Sequence, residues 1–115
     1  MTVLTINEQS SQDLCIKYCL ECFEQLTRAV SYCLQKEGDY LNGDHLKQFF
    51  EGIDLCRVNA TLLLSHSDLA FEHGQITAKI CDICAQSCYS YNDDYLNKVG
   101  DICAQTADTC RQLAH

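Results

Sequence analysis

The cysteines of this 115-residue chain recur at intervals that a helix would bring to one side. Cys15, Cys19, Cys22 and Cys33 are separated by four, three and eleven residues. Leu26 and Ala29 divide the interval of eleven into steps of four, three and four. At about 100° per residue, eighteen positions bring Cys33 back over Cys15. The same phase returns in Cys81, Cys84 and Cys88, and in Cys103 and Cys110 with Ala107 between them. Cys56 keeps it with Gly52, Asn59 and Leu63. Each cysteine therefore belongs to a seam of the kind that faces a helical core.

The rest of the chain agrees with helices. No stretch sustains period-two alternation, there is no proline, and five glycines are too few to punctuate a many-stranded β fold. Four segments are expected: roughly 9–37, capped by Ser10–Asp13 and stopped by Gly38; 44–65, ending in the polar Ser65–Asp68; 75–91, after a break at Gly74; and 94–113, after Asn92–Asp94. Short connections make consecutive helices antiparallel. The expected architecture is all-α, an up-down antiparallel four-helix bundle with a cysteine-lined core, in one domain across residues 1–115.

Ten cysteines in so short a chain would ordinarily suggest a secreted, disulfide-stapled domain. The opening residues Met1–Glu8 carry no basic region, apolar run or cleavage site, so a cytoplasmic protein with reduced thiols is expected. Neighbouring thiols on one helix also point the same way, which suits them poorly to bonding each other. It suits them well to sharing an ion from one side. A soft d¹⁰ ion such as Cu(I) takes two or three thiolates, and a pair one helical turn apart supplies two. The competing reading is packing, because free cysteine behaves as a small buried hydrophobe. Ten small thiols on every seam would leave a core loosely filled unless something occupies the space.

Three runs carry a resemblance: Cys15-Ile-Lys-Tyr-Cys19-Leu-Glu-Cys22, Ile80-Cys81-Asp-Ile-Cys84-Ala85-Gln-Ser-Cys88, and Ile102-Cys103-Ala104-Gln-Thr-Ala107-Asp-Thr-Cys110-Arg111. From about Leu14 to Leu113 the chain resembles the cysteine-rich four-helix-bundle bacterial copper storage proteins. The resemblance implies a homo-oligomer, often a tetramer, whose inward cysteines bind Cu(I). It assigns Cys15, Cys19, Cys22, Cys33, Cys56, Cys81, Cys84, Cys88, Cys103 and Cys110 as metal ligands. It also exposes gaps, because family members continue the cysteine pattern through each helix. Leu26, Ala29, Gly52, Asn59, Leu63 and Ala107 stand at ligand positions here, Tyr91 and Tyr95 follow Cys88, and Ala114 follows Cys110. The expected function is cytosolic Cu(I) storage or buffering at reduced capacity. Two thiolates per ion would give a capacity on the order of half the cysteine count.

Other features add less. His45, His66, His73 and His115 are candidate ligands at the bundle ends, with His66 and His73 beside one connection as a metal-access mouth. Met1 is the only methionine, so no Met-rich copper relay exists. A second stripe on the first segment, Ile16, Leu20, Phe23, Thr27, Val30 and Leu34, widens its apolar face and offers a subunit interface. A net charge of −8 argues against nucleic acid and anionic membrane surfaces, and no apolar run approaches a membrane span. No nucleophile–base arrangement or phosphate loop supports an enzyme. The alternatives to copper are a structural or interaction bundle with a degenerate site, an iron–sulfur protein of the ferredoxin kind, and a zinc protein. The iron–sulfur reading fits poorly, since its loop motif ends in Cys-Pro.

Overall fold

A computed structural model describes residues 4–113. Four helices account for most of them: α1 Ile6–Lys36, α2 Gly43–Leu64, α3 Ala70–Tyr89 and α4 Asp94–Arg111, with a short 3-10 turn at Gly38–Leu41. Each helix packs on its neighbours in sequence, and α4 closes the ring against α1. The result is an up-down four-helix bundle 51 Å long and about 20 Å across, with no strand among the described residues. One end holds the start of α1 and the end of α4, and is called the terminal end below. The other holds the α1–α2 and α3–α4 connections.

The helix boundaries move for identifiable reasons. α1 starts at Ile6 rather than near residue 9, because the Thr5 hydroxyl accepts from Glu8 N at 3.1 Å and so caps the helix ahead of Ser10–Asp13. α1 stops as expected before Gly38, where Glu37 and Gly38 both adopt positive φ, 61° and 57°. α3 starts at Ala70, five residues before the expected start at Gln75. Gly74 is therefore no break. It is buried inside α3, where a Cβ would stand 3.3 Å from Leu113 Cδ1 and 3.7 Å from Asn59 Oδ1. The glycine serves close helix approach, which sequence alone does not distinguish from a turn. The α2–α3 connection turns instead at His66, with φ 54°, and at Ser67, whose Oγ accepts from Leu69 N at 3.1 Å.

The core is built from the seams. All ten cysteines have no exposed surface, as do Leu26, Ala29, Phe49, Leu96 and Ala107. The second stripe of α1 is split: Val30 is buried, Ile16 and Phe23 are half-buried, and Leu20 and Leu34 are 46% and 55% exposed. Where the chain reverses at the far end, four tyrosines and an aspartate close the bundle. Asp93 Oδ1 caps α4 by accepting from Leu96 N at 3.0 Å. Its Oδ2 accepts from the Tyr32 and Tyr40 hydroxyls at 2.6 and 2.8 Å. Tyr91 stacks on Tyr40 and Tyr95 leans on Tyr32, with ring centroids 5.1 and 4.6 Å apart. Among the described residues no helix is long and apolar enough to cross a membrane.

Candidate metal centre

Helical phase brings the thiols inward, and the packing order of the helices decides which of them meet. At the terminal end, Cys15 and Cys19 of α1 face Cys110 of α4. Cys15 Sγ lies 3.9 Å from Cys19 Sγ and 3.6 Å from Cys110 Sγ. Halfway along, Cys22 of α1, Cys56 of α2 and Cys81 of α3 converge, with Cys56 and Cys81 Sγ 3.6 Å apart. Within each of these two groups the three sulfurs lie within 4.8 Å of one another. Cys103 of α4 joins the middle group through a contact of 3.7 Å with Cys22. All ten cysteines are free thiols.

The remaining three cysteines stand toward the far end, outside the two three-sulfur groups. Cys84 donates to the Gln48 carbonyl at 3.2 Å. It approaches α2 so closely because residue 52 is glycine; a Cβ there would lie 2.8 Å from both Cys84 Sγ and Leu26 Cδ1. Cys33 is pushed up to about 11, first by burial and then by the charges of Cys88 and Asp93. Leu26 and Ala29, fully buried, interrupt the sulfur seam of α1 between Cys22 and Cys33.

Electrostatics within each group is uneven. Cys19 is held well below the ordinary thiol range by hydrogen bonds from Cys110, Cys15 and Cys56 and from Asn59, against the cost of burial. Cys22 is held down in the same way by Cys103, then Cys56 and Cys81. The donors are pushed up in return: Cys110 by Cys15 and Cys19, Cys56 by Cys19 and Cys22, and Cys103 by Cys22 and Cys88. For Cys15 the bond from Cys110 pulls downward, but Cys19 and burial outweigh it and raise the thiol to about 12. Cys19 in the terminal group and Cys22 in the middle group are thus the sulfurs held down, while their hydrogen-bonding neighbours are pushed up. Among the described residues no Lys, Arg or His is buried near these sulfurs to balance the charge. A buried anion without a cationic partner is costly. The chemistry of the donors, several soft sulfurs per site and one formal negative charge each, answers to a soft monovalent cation.

Sequence comparison gives this core a family. Residues 8–115 match the family profile described as Csp, copper storage protein. The chain belongs to the copper storage protein family. Solved structures of the same fold include the Nmul_A1745 protein from Nitrosospira multiformis, 29% identical, with a TM-score of 0.85 over 92% of this chain and 96% of that one. The Cu(I)-bound copper storage protein BsCsp3 is 21% identical, with a TM-score of 0.86 over 91% of this chain and 99% of that one. A cytosolic copper storage protein from Streptomyces lividans, described in a loading study with five coppers, is 19% identical, with a TM-score of 0.85 over 92% and 93% of the two chains. A search of curated proteins found no match.

The histidines fare differently from the cysteines. His45 is half-buried beside the tyrosines, with Nδ1 3.0 Å from the Tyr91 hydroxyl. His66 is exposed on the connection. His73 does not share that connection but lies within α3, half-buried, with Nδ1 3.0 Å from Asn59 Oδ1. His115 and Ala114 fall outside the described residues. The polar residue that sequence reasoning treated only as a gap is Asn59. It is wholly buried and places Nδ2 3.4 Å from Cys19 Sγ, 3.7 Å from Cys15 Sγ and 3.8 Å from Cys110 Sγ. A buried asparagine on a cysteine seam is itself the signal, since such an amide must find partners.

Proposed function

We propose that this protein stores or buffers Cu(I) in the cytoplasm, binding the ion through Cys15, Cys19, Cys22, Cys33, Cys56, Cys81, Cys84, Cys88, Cys103 and Cys110. The observation that carries the reading is the pair of three-sulfur groups in a core with no buried cationic side chain among the described residues. Two or three thiolates per Cu(I) match those groups, and the ions would supply the positive charge that the protein withholds. The copper bound by the solved relatives BsCsp3 and the Streptomyces lividans protein supports the same cargo. Leu26, Ala29, Gly52, Asn59, Leu63 and Ala107 remove sulfur from the seams, so the capacity is on the order of half the ten cysteines. The chain acts as a binding protein rather than a catalyst, folded as one domain over residues 1–115.

The reading extends to a homo-oligomer, a tetramer by family likeness, with the exposed Leu20 and Leu34 of α1 as part of the contact. Light scattering on the purified protein measures that state. The test of function is anaerobic titration of fully reduced protein with Cu(I) in competition with a strong chelator. Tight uptake of several ions is expected, with Cys22→Ser lowering the number bound. Stoichiometric loss of copper to the chelator overturns the reading.

A further inference from the structure

Cys84 belongs to neither three-sulfur group and leans instead on the backbone of α2, donating to the Gln48 carbonyl at 3.2 Å. Burial, then the charges of Cys22, Cys88 and Glu51, push its thiol up, while the Gly52 N–H pulls it down. Leu26 Cδ1 packs against the same glycine, so a methyl group rather than a sulfur stands beside Cys84 in the core. Gln48 also lines a solvent-open cleft of about 470 Å³ between α2 and α3, together with Asp44, His45, Asp82 and Ser87. Ser87 Oγ donates to Gln48 Oε1 and so ties the two helices together there. Asp82 is paired with Arg111, which leaves Asp44 as the cleft carboxylate outside any ion pair among the described residues. The Tyr91 hydroxyl donates to the Tyr40 carbonyl at 3.4 Å, so its oxygen accepts from His45 Nδ1–H at 3.0 Å. Nε2 is then the nitrogen of His45 with a lone pair to offer. A ring fixed through its other nitrogen in this way is the usual form of a metal-binding histidine.

We propose that this cleft is a lateral port through which Cu(I) reaches Cys84, with His45 Nε2 as the first ligand. The inference rests on the thiolate–copper reading above. The Asp44 carboxylate draws a cation to the cleft. Imidazole suits copper, but thiolate suits a soft monovalent ion better, so the ion moves downhill from nitrogen to sulfur. His45 and Gln48 are three residues apart on one face of α2, and Gln48 joins the cleft to Cys84. Release of the Ser87–Gln48 hydrogen bond frees the Gln48 side chain to swing aside. In the transfer the copper–nitrogen bond breaks as the copper–sulfur bond forms. The thiol proton leaves to solvent in the cleft, and copper stays Cu(I). The route avoids the length of the core from the terminal end, where Leu26 and Ala29 interrupt the sulfur seam of α1.

The experiment uses the full reduced chain under anaerobic conditions. Cu(I) as its acetonitrile complex is mixed with the protein in a stopped-flow instrument, and copper–thiolate absorbance is followed. The wild-type trace should contain a phase that Cys84→Ser lacks. His45→Phe keeps the edge contact with the Tyr91 ring but offers no nitrogen. It should slow the Cys84 phase about tenfold, the rate equivalent of ~1.4 kcal/mol, with the other phases and the number of ions bound unchanged. Ser87→Ala removes the tie to Gln48 and should speed the same phase about threefold to tenfold, the rate equivalent of one hydrogen bond. A Cys84 phase that His45→Phe leaves unchanged overturns the inference, as does a Cys84→Ser trace identical to wild type. If His45→Phe folds poorly, Ser87→Ala carries the test, and an unchanged rate overturns it. Failure of the wild type to bind any Cu(I) overturns the copper reading instead, which keeps the two apart.

Discussion

A Leu26→Cys substitution sets packing and metal capacity against each other at one position. Leu26 is fully buried, and its Cδ1, like Cys84 Sγ, stands 2.8 Å from where a Cβ on Gly52 would be. The substitution removes roughly two methylene-sized groups, at about 0.8 kcal/mol each. Gly52 has no side chain with which to fill the space. A residual void on the order of 40 Å³ adds about 1 kcal/mol at ~24 cal/mol per Å³. The reduced, metal-free variant should therefore be less stable by about 2–3 kcal/mol. With a slope of about 1.5 kcal/mol per molar urea, its midpoint falls by about 1–2 M at unchanged slope. In exchange, the seam of α1 gains a thiol facing Cys84, and Cu(I) capacity should rise. Urea unfolding of the apoprotein and anaerobic copper titration measure the two effects. An unchanged midpoint would refute the packing of Leu26 described above. A lower midpoint with unchanged capacity would refute the idea that these gaps limit storage.

Three further outcomes follow from other residues. Gly52→Ala should cost about 1–3 kcal/mol in urea unfolding and break the Cys84–Gln48 contact, because its new Cβ meets Cys84 Sγ and Leu26. Asp93→Asn keeps the α4 cap but loses the carboxylate. Burial opposes the Asp93 charge, but bonds from Tyr32, Leu96 and Tyr40 outweigh it and hold the carboxyl below 3.8, so its stabilisation is present above that pH and lost as pH falls through the folded value. Tyr32, raised to about 12 chiefly by its bond to Asp93, contributes stability below pH 10 that is lost as pH rises through about 12. The variant should show shallower stability–pH slopes at both extremes, read by denaturation across pH. Finally, Cu(I) at a hundred times its dissociation constant should stabilise the fold by about 2.7 kcal/mol per site, seen as a higher thermal midpoint of loaded over metal-free protein.

The cysteine seams were legible because a single periodicity governs both helix phase and burial, and every one of the ten thiols lies in the core. Helix starts were less legible. Thr5 and Ser67 act through single local hydrogen bonds, while Gly74 looks the same in sequence whether it ends a helix or lets two pack closely. The Asp93–Tyr32–Tyr40 closure was invisible, because its partners lie more than fifty residues apart and none carries a motif. Asn59 was read as a lost ligand because a one-dimensional pattern records which atom is absent. It cannot record that the amide in its place meets Cys15, Cys19 and Cys110 at once.

The close sulfur contacts also carry a redox meaning. Apart from Cys15–Cys19, the pairs under 4 Å join different helices: Cys15 with Cys110 and Cys22 with Cys103 between α1 and α4, and Cys56 with Cys81 between α2 and α3. A disulfide needs its sulfurs at about 2.05 Å, so each pair lies about 1.6 Å from bonding. An oxidant reaching the metal-free core would therefore rivet α1 to α4 and α2 to α3, turning one continuous bundle into two crosslinked helix pairs. Every sulfur so consumed is one fewer to hold an ion, so occupancy by metal and protection from oxidation are the same condition of this core.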